Sequence, residues 1–497
     1  MTDKAKLEFS FDFKPVGKPR EPDQPFRILV VGDFSGENTD HPNQPRLQTV
    51  DIDNFDEVMD RIAPIVTVAS HQGVAARLQA FTLEDFHPDE IYDKLAPFND
   101  LRELKKRLQN TTTFSAAAAE MMAGQSTQVE AAQPAEPPTD SAAESDDDAI
   151  ERLLGRPASP QAQVSKAVSG IDSLLQRIVA PHITPNEDPQ QASLVRSVEA
   201  SIAALMTEVL HVPALQALEA RWRALFALVS NAELDGAVEV VVWDTTRENL
   251  LAMVEHPDTD PMSSQAAKLL ASRDTPASWS LVVTDLTVST EESDLLLIAK
   301  LASVTSGFGS PVLACASPAL YGCTTSINSS PDSDQWLPDS DPSQANWQQL
   351  RRSGIAEWIG LCSPRLLQRL PYGAKTDPVS PFAYEEFESG NPEDLLWGPA
   401  SMGCAALLAT SYCARQWNMT PGEHTDIVDL PGVTVQSSGQ RDLVPCAEVT
   451  LSDRSAEEVL ARGVMPLHSY KNRNAARLFR FQSIASPTRP LAGPWNS

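Results

Sequence analysis

The sequence contains no long apolar run. No stretch of its 497 residues approaches the roughly 18 consecutive apolar side chains that a membrane-spanning helix needs. Residues 1–10 lack the apolar centre and small-residue cleavage site of a signal peptide. We therefore expect no membrane insertion and a cytoplasmic location.

Basic residues are scarce. The chain has 39 Lys and Arg against 67 Asp and Glu, a formal net charge of −28 and a pI near 4.6. Binding to the phosphate backbone of a nucleic acid needs a basic surface, and so acidic a chain would repel it. We expect no nucleic-acid partner.

Cysteines are few, and none forms a Cys-x-x-Cys pair. Spacing of that kind marks redox and zinc sites, and its absence predicts reduced, buried thiols. The six cysteines are Cys315, Cys323, Cys362, Cys404, Cys413 and Cys446.

The common catalytic and phosphate-binding motifs are also missing, including the nucleophile elbow, the Walker loop, the dinucleotide fingerprint and the HExxH zinc motif. Ser35 lies directly before Gly36 and no Lys follows, so residues 32–36 indicate a structural turn. His87 stands beside two carboxylates but without further converging ligands, and a helix-capping role for Asp85 or its polar neighbours is favoured there. We predict no catalytic residue, no cofactor, no metal and no enzymatic activity.

An alternating pattern opens the chain. Four apolar residues share one face of a predicted strand, with polar residues between them: Leu7, Phe9, Phe11 and Phe13. A buried strand is predicted within residues 26–36, a capped helix after Asp53 or Asn54, and helices over residues 88–95 and 100–108. Residues 1–122 thus form a small α+β domain in this interpretation.

A change of composition follows. Residues 123–147 consist mainly of Ala, Pro, Gln, Ser, Glu and Asp, which cannot bury enough apolar surface to offset the entropy of ordering, about 1–2 kcal/mol per residue. This stretch is predicted to be a flexible, disordered acidic linker. Helical spacing then returns over residues 148–232.

The last part of the chain, residues 233–497, alternates strands with helices. Strands are predicted at 238–243, 279–285 and 311–315, separated by helices, which is typical of a mainly parallel α/β core. Arg365 and Arg369 have helical spacing, and we expect their segment to pair with the acidic residues Glu385 and Glu386 inside the fold.

These residues resemble the type VI secretion sheath family. Residues 26–36, 50–55 and 83–89, in that order, are similar to the small subunit (TssB, or VipA). Residues 209–225, 364–373, 382–386, 396–398 and 469–483 are similar to the large subunit (TssC, or VipB). The chain therefore resembles a fusion of the two, with a large-subunit part that stops before the family's usual C-terminal region.

The resemblance implies a structural component of a contractile sheath. The expected partners are other sheath subunits, which are either further copies of this chain or separate TssB and TssC chains. An inner tube or a baseplate is a further expected partner. In the family, chains are joined by shared strands, and residues 7–13 are the expected strand-exchange arm, the alternative being an edge strand in its own domain. In the family, a ClpV-type AAA+ unfoldase binds a short helix near the start of the large subunit. Ile150, Leu153 and Leu154 occupy the corresponding place here, and the alternative is that they belong to an ordinary packing helix.

Two other functions stay open at this stage. The shortened large-subunit part puts ordinary polymerisation in doubt, so the chain could instead cap, terminate or regulate sheath or baseplate assembly. The rival from another class is an α/β hydrolase-like enzyme on a borrowed scaffold. An enzyme should show a concave polar pocket with titrating groups of shifted pKa, whereas an assembly protein should show pairing edges.

Overall fold

The structure is a computed structural model. It describes residues 24–38, 47–69, 75–130, 189–231, 236–255, 260–271, 279–323, 333–437, 440–470 and 472–495. The chain divides into two compact units, one made of Met1–Asn99 with Ala200–Ser497 and the other of Asp100–Glu199. The predicted arm at Leu7, Phe9, Phe11 and Phe13, the predicted linker beyond residue 130 and the predicted helix at Ile150, Leu153 and Leu154 lie outside the described residues.

The strands are mostly short, as is usual for an α/β protein. In chain order they are β1 (Phe26–Gly32), β2 (Leu47–Val50), β3 (Ile65–Ala69), β4 (Ala75–Gln79), β5 (Val238–Asp244), β6 (Leu281–Val288), β7 (Val312–Ala316), β8 (Ile359–Ser363), β9 (Leu366–Leu367), β10 (Trp397–Gly398), β11 (Asp426–Ile427), β12 (Thr434–Ser437), β13 (Gln440–Leu443), β14 (Met465–Ser469) and β15 (Ala476–Leu478).

The α-helices lie between these strands or lead into them. They are α1 (Phe55–Ile62), α2 (Pro88–Lys94), α3 (Asn99–Gln109), α4 (Phe114–Glu130), α5 (Pro189–Leu210), α6 (Pro213–Asn231), α7 (Arg247–Val254), α8 (Gln265–Leu270), α9 (Glu292–Ser306), α10 (Ala345–Arg351), α11 (Ala400–Arg415) and α12 (Asp453–Ala461).

One nine-stranded sheet organises the larger unit, in the order β11-β15-β14-β8-β7-β6-β1-β5-β2. Its six central strands, from β14 to β5, run parallel, and antiparallel strands close both sides. Runs of Val and Leu in β1, β5 and β6 are buried on both faces, as parallel strands covered by helices require. The predicted mainly parallel α/β architecture is confirmed.

Helices cover both faces of this sheet. On one face the buried side chains of α7, α8, α9 and α10 pack with Leu29, Val31, Trp243 and Val282 into one large apolar core. On the other face α11 packs against the central strands, and α6 packs against α11. Sheet and helices thereby bury apolar surface, which is the main favourable term in folding.

The smaller unit is built from helices in its described part. Lys105 on α3 makes an ion pair of 2.7 Å with Glu199 on α5, and Gln191 donates to the Leu108 carbonyl at 2.6 Å. Arg107 pairs with Glu120 on α4 at 2.6 Å. These contacts fasten α3, α4 and the first turns of α5 together.

No single helix in the described ranges is long and apolar enough to cross a membrane. The bent pair of Gln190–Leu210 and Pro213–Asn231 reaches that length and composition together, with a bend of 69° at the break. Apolar residues of α6 such as Leu218, Trp222 and Leu225 are buried against the rest of the fold, which accounts for their hydropathy.

Two local predictions are wrong. Arg365 and Arg369 do not share a helix face, since Leu366–Leu367 between them forms β9, paired antiparallel with Trp397–Gly398. The i, i+4 spacing was coincidental, because residues of any conformation can recur at that interval. Cys413 is exposed, unlike the other five cysteines, since it lies on the outer face of α11 near the end of the helix.

Candidate assembly core

The N-terminal strand β1 lies inside the sheet built by the C-terminal part of the chain. It runs parallel to β5 on one side, with Ile28 opposite Val240, and parallel to β6 on the other, with Ile28 opposite Leu281. Phe26 and residues 28–31 have no exposed surface. More than 200 residues of sequence separate β1 from both neighbours, yet all three strands share one hydrogen-bonded core.

Polar contacts fix β1 in this place. Arg27 makes an ion pair of 2.5 Å with Glu239 on β5, and its backbone N–H donates to the Ser280 hydroxyl at 3.0 Å. At its start, the Phe26 ring lies 5.2 Å from the ring of Tyr412, whose hydroxyl donates to the Gln24 carbonyl at 2.7 Å. The strand is therefore anchored at its entry as well as along its length.

The turn after β1 is held by groups from the C-terminal part. The Asp244 carboxylate accepts hydrogen bonds from the backbone N–H groups of Phe34, at 2.7 Å, and Ser35, at 3.0 Å. Trp222 donates its indole N–H to the Phe34 carbonyl at 3.0 Å. Gly36 ends the turn with a φ of +60°. The sequence prediction that these residues form a structural turn is confirmed.

Three aspartates meet near the ends of β1 and β5: Asp33 follows β1, Asp244 is the last residue of β5, and Asp285 lies within β6 beside them. Open α/β sheets often bind ligands at such a position. Asp285 makes an ion pair of 2.5 Å with Arg221, which also donates to the Asp33 carbonyl. Burial raises the pKa of the Asp33 carboxyl above its usual range; Arg221 opposes this, while Asp244 adds to it. These carboxylates accept hydrogen bonds from the backbone N–H groups of residues 34–36 and pair with the Arg221 guanidinium. Their charges therefore stabilise the turn.

A buried ionic network lies on α6 and the segment that follows β9. Glu219, 1% exposed, accepts from Arg369 at 2.8 Å and from Arg223 at 2.7 Å. Arg369 also holds Glu386, at 2.6 and 2.8 Å. Burial works against the charge of Glu219, but the two guanidinium groups outweigh it, and the pKa of Glu219 lies below its usual value.

Tyr372 connects this ionic network to the N-terminal part of the chain. Its ring stacks under the Arg369 guanidinium at 3.9 Å, and its hydroxyl donates to the Phe86 carbonyl at 3.3 Å. The His87 ring meets the Tyr372 ring edge to face at 4.9 Å. Burial raises the pKa of the Tyr372 hydroxyl well above its usual value, so it is a permanent donor.

Two further contacts join the same two segments. The Ser380 backbone N–H donates to the Asp89 carboxylate at 3.0 Å, and the rings of Tyr92 and Phe382 lie 5.3 Å apart. Residues 83–92 begin with a capping box in which the Asp85 carboxylate accepts from the N–H groups of Phe81 and Thr82, at 2.7 and 2.8 Å. The predicted capping role of Asp85 is confirmed.

Sequence reasoning located part of this network. It expected the segment of Arg365 and Arg369 to pair with Glu385 and Glu386, and the Arg369–Glu386 pair is present. Arg365 instead binds Glu448, and Glu385 accepts from the Ala374 N–H. Glu219 was missed; the only available signal was a carboxylate on the otherwise apolar face of a helix that also carries Leu215, Leu218 and Trp222.

No group of three or more His, Cys, Asp or Glu residues is arranged to hold a metal ion in the part of the chain that the structure describes.

Comparison with known proteins assigns both parts of the chain. Residues 192–485 match the family model described as EvpB/VC_A0108, tail sheath N-terminal domain. The chain belongs to this tail sheath family. Residues 2–123 match the model described as type VI secretion system, VipA, VC_A0107 or Hcp2, so the chain joins a VipA-like part to a tail sheath part.

A curated relative supports the same assignment. The type VI secretion system sheath protein TssC1 of Pseudomonas aeruginosa is 28% identical over 307 residues. The match covers 59% of this chain and 61% of that protein, so the chain spans about three-fifths of the relative's length.

The two family matches divide the sheet between them. β1 and β2 belong to the VipA-like match, whereas β5 to β8 belong to the tail sheath match. Because β1 lies between β5 and β6, the VipA-like and tail sheath parts share one hydrophobic core. Strands from both family matches are therefore part of one sheet in the larger unit.

Proposed function

We propose that this chain is a structural component of a type VI secretion contractile sheath, with its VipA-like and tail sheath parts acting as one building block. The placement of β1 between β5 and β6 supports this most directly. A strand at the centre of a sheet cannot leave without exposing its neighbours' backbone groups, so the two parts act as a unit. We further propose that the chain functions in the cytoplasm and has no catalytic role.

The partners in this proposal are other sheath subunits. The alternating residues Leu7, Phe9, Phe11 and Phe13 would add a strand to a neighbouring sheet, where backbone hydrogen bonds supply affinity and side-chain pockets supply register. Each such bond contributes only about 0.5–1.5 kcal/mol net. Many equal junctions in a lattice still give a stable assembly through multivalency.

Negative-stain electron microscopy of the purified chain tests this function. Rings or tubes, formed alone or with separate type VI sheath subunits, are the expected result. Binding confined to tube ends would point to the capping or terminating role instead. A chain that stays dispersed and ignores sheath subunits at every concentration would refute the proposal.

The arm has its own test. Phe9→Asp with Phe11→Asp should abolish assembly and leave the folded core intact, because the apolar face of the added strand is lost. Glu8→Gln with Asp12→Asn changes the opposite face of the same strand and should assemble normally. Equal assembly of both variants would show that these residues form an internal edge strand.

Recognition by a ClpV-type AAA+ unfoldase is a separate part of the proposal. We expect Ile150, Leu153 and Leu154 to form the apolar face that the unfoldase binds. Leu153→Asp with Leu154→Asp should remove binding measured by fluorescence anisotropy, whereas Glu151→Gln with Arg152→Gln should keep it. Binding that survives the first pair of changes would place the recognition site elsewhere or indicate a plain packing helix.

A further inference from the structure

Three of the six cysteines come together inside the larger unit. They are Cys315 on β7, Cys362 on β8 and Cys404 on α11, and they are 3%, 0% and 0% exposed. The Cys362 sulfur shares one hydrogen bond with the sulfur of Cys315 and another with that of Cys404. The three thiols therefore form one buried group, which we call the thiol cluster.

Cys315 and Cys362 are direct neighbours across two paired strands. β7 and β8 run parallel, and Cys315 lies opposite Cys362 in their register. The two side chains point to the same face of the sheet, because the flanking Ala314 and Leu361 belong to the core on the other face. Adjacent strands are about 4.8 Å apart, which is within the Cα separation of about 4.4–6.8 Å that a disulfide spans. The backbone therefore already has the spacing that a disulfide needs.

The start of α11 faces the sulfur of Cys315. The backbone N–H groups of Ala400 and Ser401 hydrogen-bond this sulfur, and the Ser401 hydroxyl oxygen lies 3.7 Å from it. These N–H groups are available because they belong to the first turn of the helix, and Pro399 at the N-cap position makes no side-chain cap. The N-terminus of a helix carries partial positive charge, which stabilises a thiolate placed there.

The two thiols differ in their electrostatic surroundings. The pKa of the Cys315 thiol lies below its ordinary value, because the hydrogen bond from Cys362 and those at the start of α11 outweigh burial. The pKa of the Cys362 thiol lies well above its ordinary value, because its hydrogen bonds with Cys315 and Cys404 and its burial favour the protonated form. The Ala314 carbonyl, at 3.3 Å, is a further acceptor for the Cys362 S–H. In such a pair the sulfur of lower pKa attacks an oxidant and the protonated one resolves the product.

We propose that Cys315 and Cys362 are a redox-active dithiol, which hydrogen peroxide oxidises to a disulfide that locks β7 to β8. This dithiol lies within the tail sheath match, and its chemistry is independent of the proposed function. Hydrogen peroxide fits as the oxidant because it is small and uncharged, whereas both sulfurs are too deeply buried for a bulky disulfide reagent. Arg365, whose side chain is 46% exposed, interacts electrostatically with the Cys315 sulfur, so this sulfur lies close behind the molecular surface.

The reaction balances with hydrogen peroxide as the oxidant. The Cys315 thiolate attacks one peroxide oxygen and becomes a sulfenic acid, while the other oxygen leaves as hydroxide and takes up the original thiol proton to become water. The Cys362 sulfur then attacks the sulfenic sulfur, and the hydroxyl group leaves with the Cys362 proton as a second water. Two thiols are thereby oxidised to one disulfide, and one peroxide is reduced to two water molecules. A small dithiol such as dithiothreitol reverses the change by thiol–disulfide exchange.

Peptide mapping of the full chain tests the dithiol. The folded protein is treated with hydrogen peroxide, quenched with catalase, alkylated in urea and cut with two proteases, so that Cys315 is separated from Cys323. Tandem mass spectrometry should find a disulfide between Cys315 and Cys362 that dithiothreitol removes. Exposed Cys413 is the internal reference, because a bulky maleimide should label it in the folded chain and leave the thiol cluster unlabelled.

Single substitutions assign the two sulfurs. Cys315→Ser and Cys362→Ser should each abolish the link, whereas Cys404→Ser removes the competing third sulfur and should leave the link intact. Peroxide should raise the urea midpoint of the unmodified chain, because the link restricts the unfolded state, and should leave the midpoints of Cys315→Ser and Cys362→Ser unchanged. Mapping of the unmodified chain gives the answer even if one of these variants fails to fold.

Three results would overturn the proposal. The first is a peroxide-induced link between Cys362 and Cys404, or oxidation of Cys413 while the thiol cluster stays reduced. The second is a link between Cys315 and Cys362 that forms only in urea, because the native geometry would then not favour it. The third is a urea midpoint that stays the same or falls once the link has formed, because β7 and β8 would then not be locked together.

Discussion

Arg369 grips Glu386 with two parallel hydrogen bonds, Nη1 to Oε2 at 2.6 Å and Nη2 to Oε1 at 2.8 Å, in a place where both side chains are buried. Paired in this way, the two charges satisfy each other, and Arg369 donates a third bond to Glu219 on α6. Arg369 therefore binds two buried carboxylates, those of Glu219 and Glu386.

Removing that arginine should be costly. Arg369→Leu leaves Glu219 and Glu386 with fewer partners and should lower the free energy of unfolding by about 3–5 kcal/mol, as expected when one member of a buried pair is lost. Urea unfolding followed by tryptophan fluorescence measures this. The double variant Arg369→Leu with Glu386→Leu should recover part of the loss, because the unpaired charge is removed.

An exposed ion pair provides the control for this prediction. Arg489→Ala breaks the pair with Glu357, in which Arg489 is exposed and Glu357 is partly exposed, and should cost less than about 1 kcal/mol. Similar losses for Arg369→Leu and Arg489→Ala would contradict the importance of the buried network.

Asp33 predicts a stabilising substitution. Burial raises the pKa of its carboxyl, so the folded state disfavours the ionised form. A raised carboxyl pKa means that this group favours folding at low pH and opposes it once the pH rises above that pKa. Asp33→Asn keeps an acceptor for the Gly36 N–H and should therefore raise the unfolding midpoint at pH 7, with the gain disappearing below about pH 4, where the native carboxyl is protonated in both states.

Thermal unfolding at pH 7 and pH 3 checks the sign. Glu388→Gln, at an exposed carboxylate, should change neither midpoint appreciably. A loss of stability in Asp33→Asn at pH 7 would show that the Asp33 charge favours the native state.

Asp85 should behave in the opposite way. Burial raises the pKa of its carboxyl, but the bond from Lys94 and those from the Phe81 and Thr82 N–H groups outweigh burial and lower it. Its contribution to stability is thus present above the usual carboxyl pKa and is lost as the pH falls through the lowered one. Asp85→Ala should cost about 1–2 kcal/mol at pH 7 and less at pH 3.

Urea midpoints at the two pH values test the Asp85 prediction. The neighbouring Glu84→Ala removes an exposed carboxylate and should be close to neutral at both. If Asp85→Ala lowered the urea midpoint equally at both pH values, the charge of Asp85 would not be what stabilises the cap.

Gly36 is required by its backbone conformation. Its φ of +60° suits glycine, and a Cβ built there would lie 2.5 Å from the Ile65 carbonyl oxygen. Gly36→Ala should lower the free energy of unfolding by about 1–3 kcal/mol. Gly354→Ala, at a position with nothing within 4 Å and no left-handed φ, is the matched control and should change the chemical-denaturation midpoint little.

Local patterns predicted many of the elements. The Val- and Leu-rich strands β1, β5, β6 and β7, the helices α2 and α6 and the cap at Asp85 were all visible in the sequence, because hydrophobic period and capping residues act over a few neighbouring positions. The helical spacing of Arg365 and Arg369 was misleading, because a spacing of four residues also occurs in extended chains.

Sequence patterns alone predicted a buried strand within residues 26–36, a mainly parallel α/β core further along the chain, and a resemblance to two sheath subunits. Two further features came only from the folded structure: β1 lies between β5 and β6, and Glu219 pairs with Arg369. The contact of Arg369 with Glu219 joins residues 150 positions apart, and β1 is still further in sequence from β5 and β6. Hydrophobic periodicity reports only on neighbouring positions and cannot predict contacts between residues so far apart in sequence. Those contacts depend on how the whole core packs.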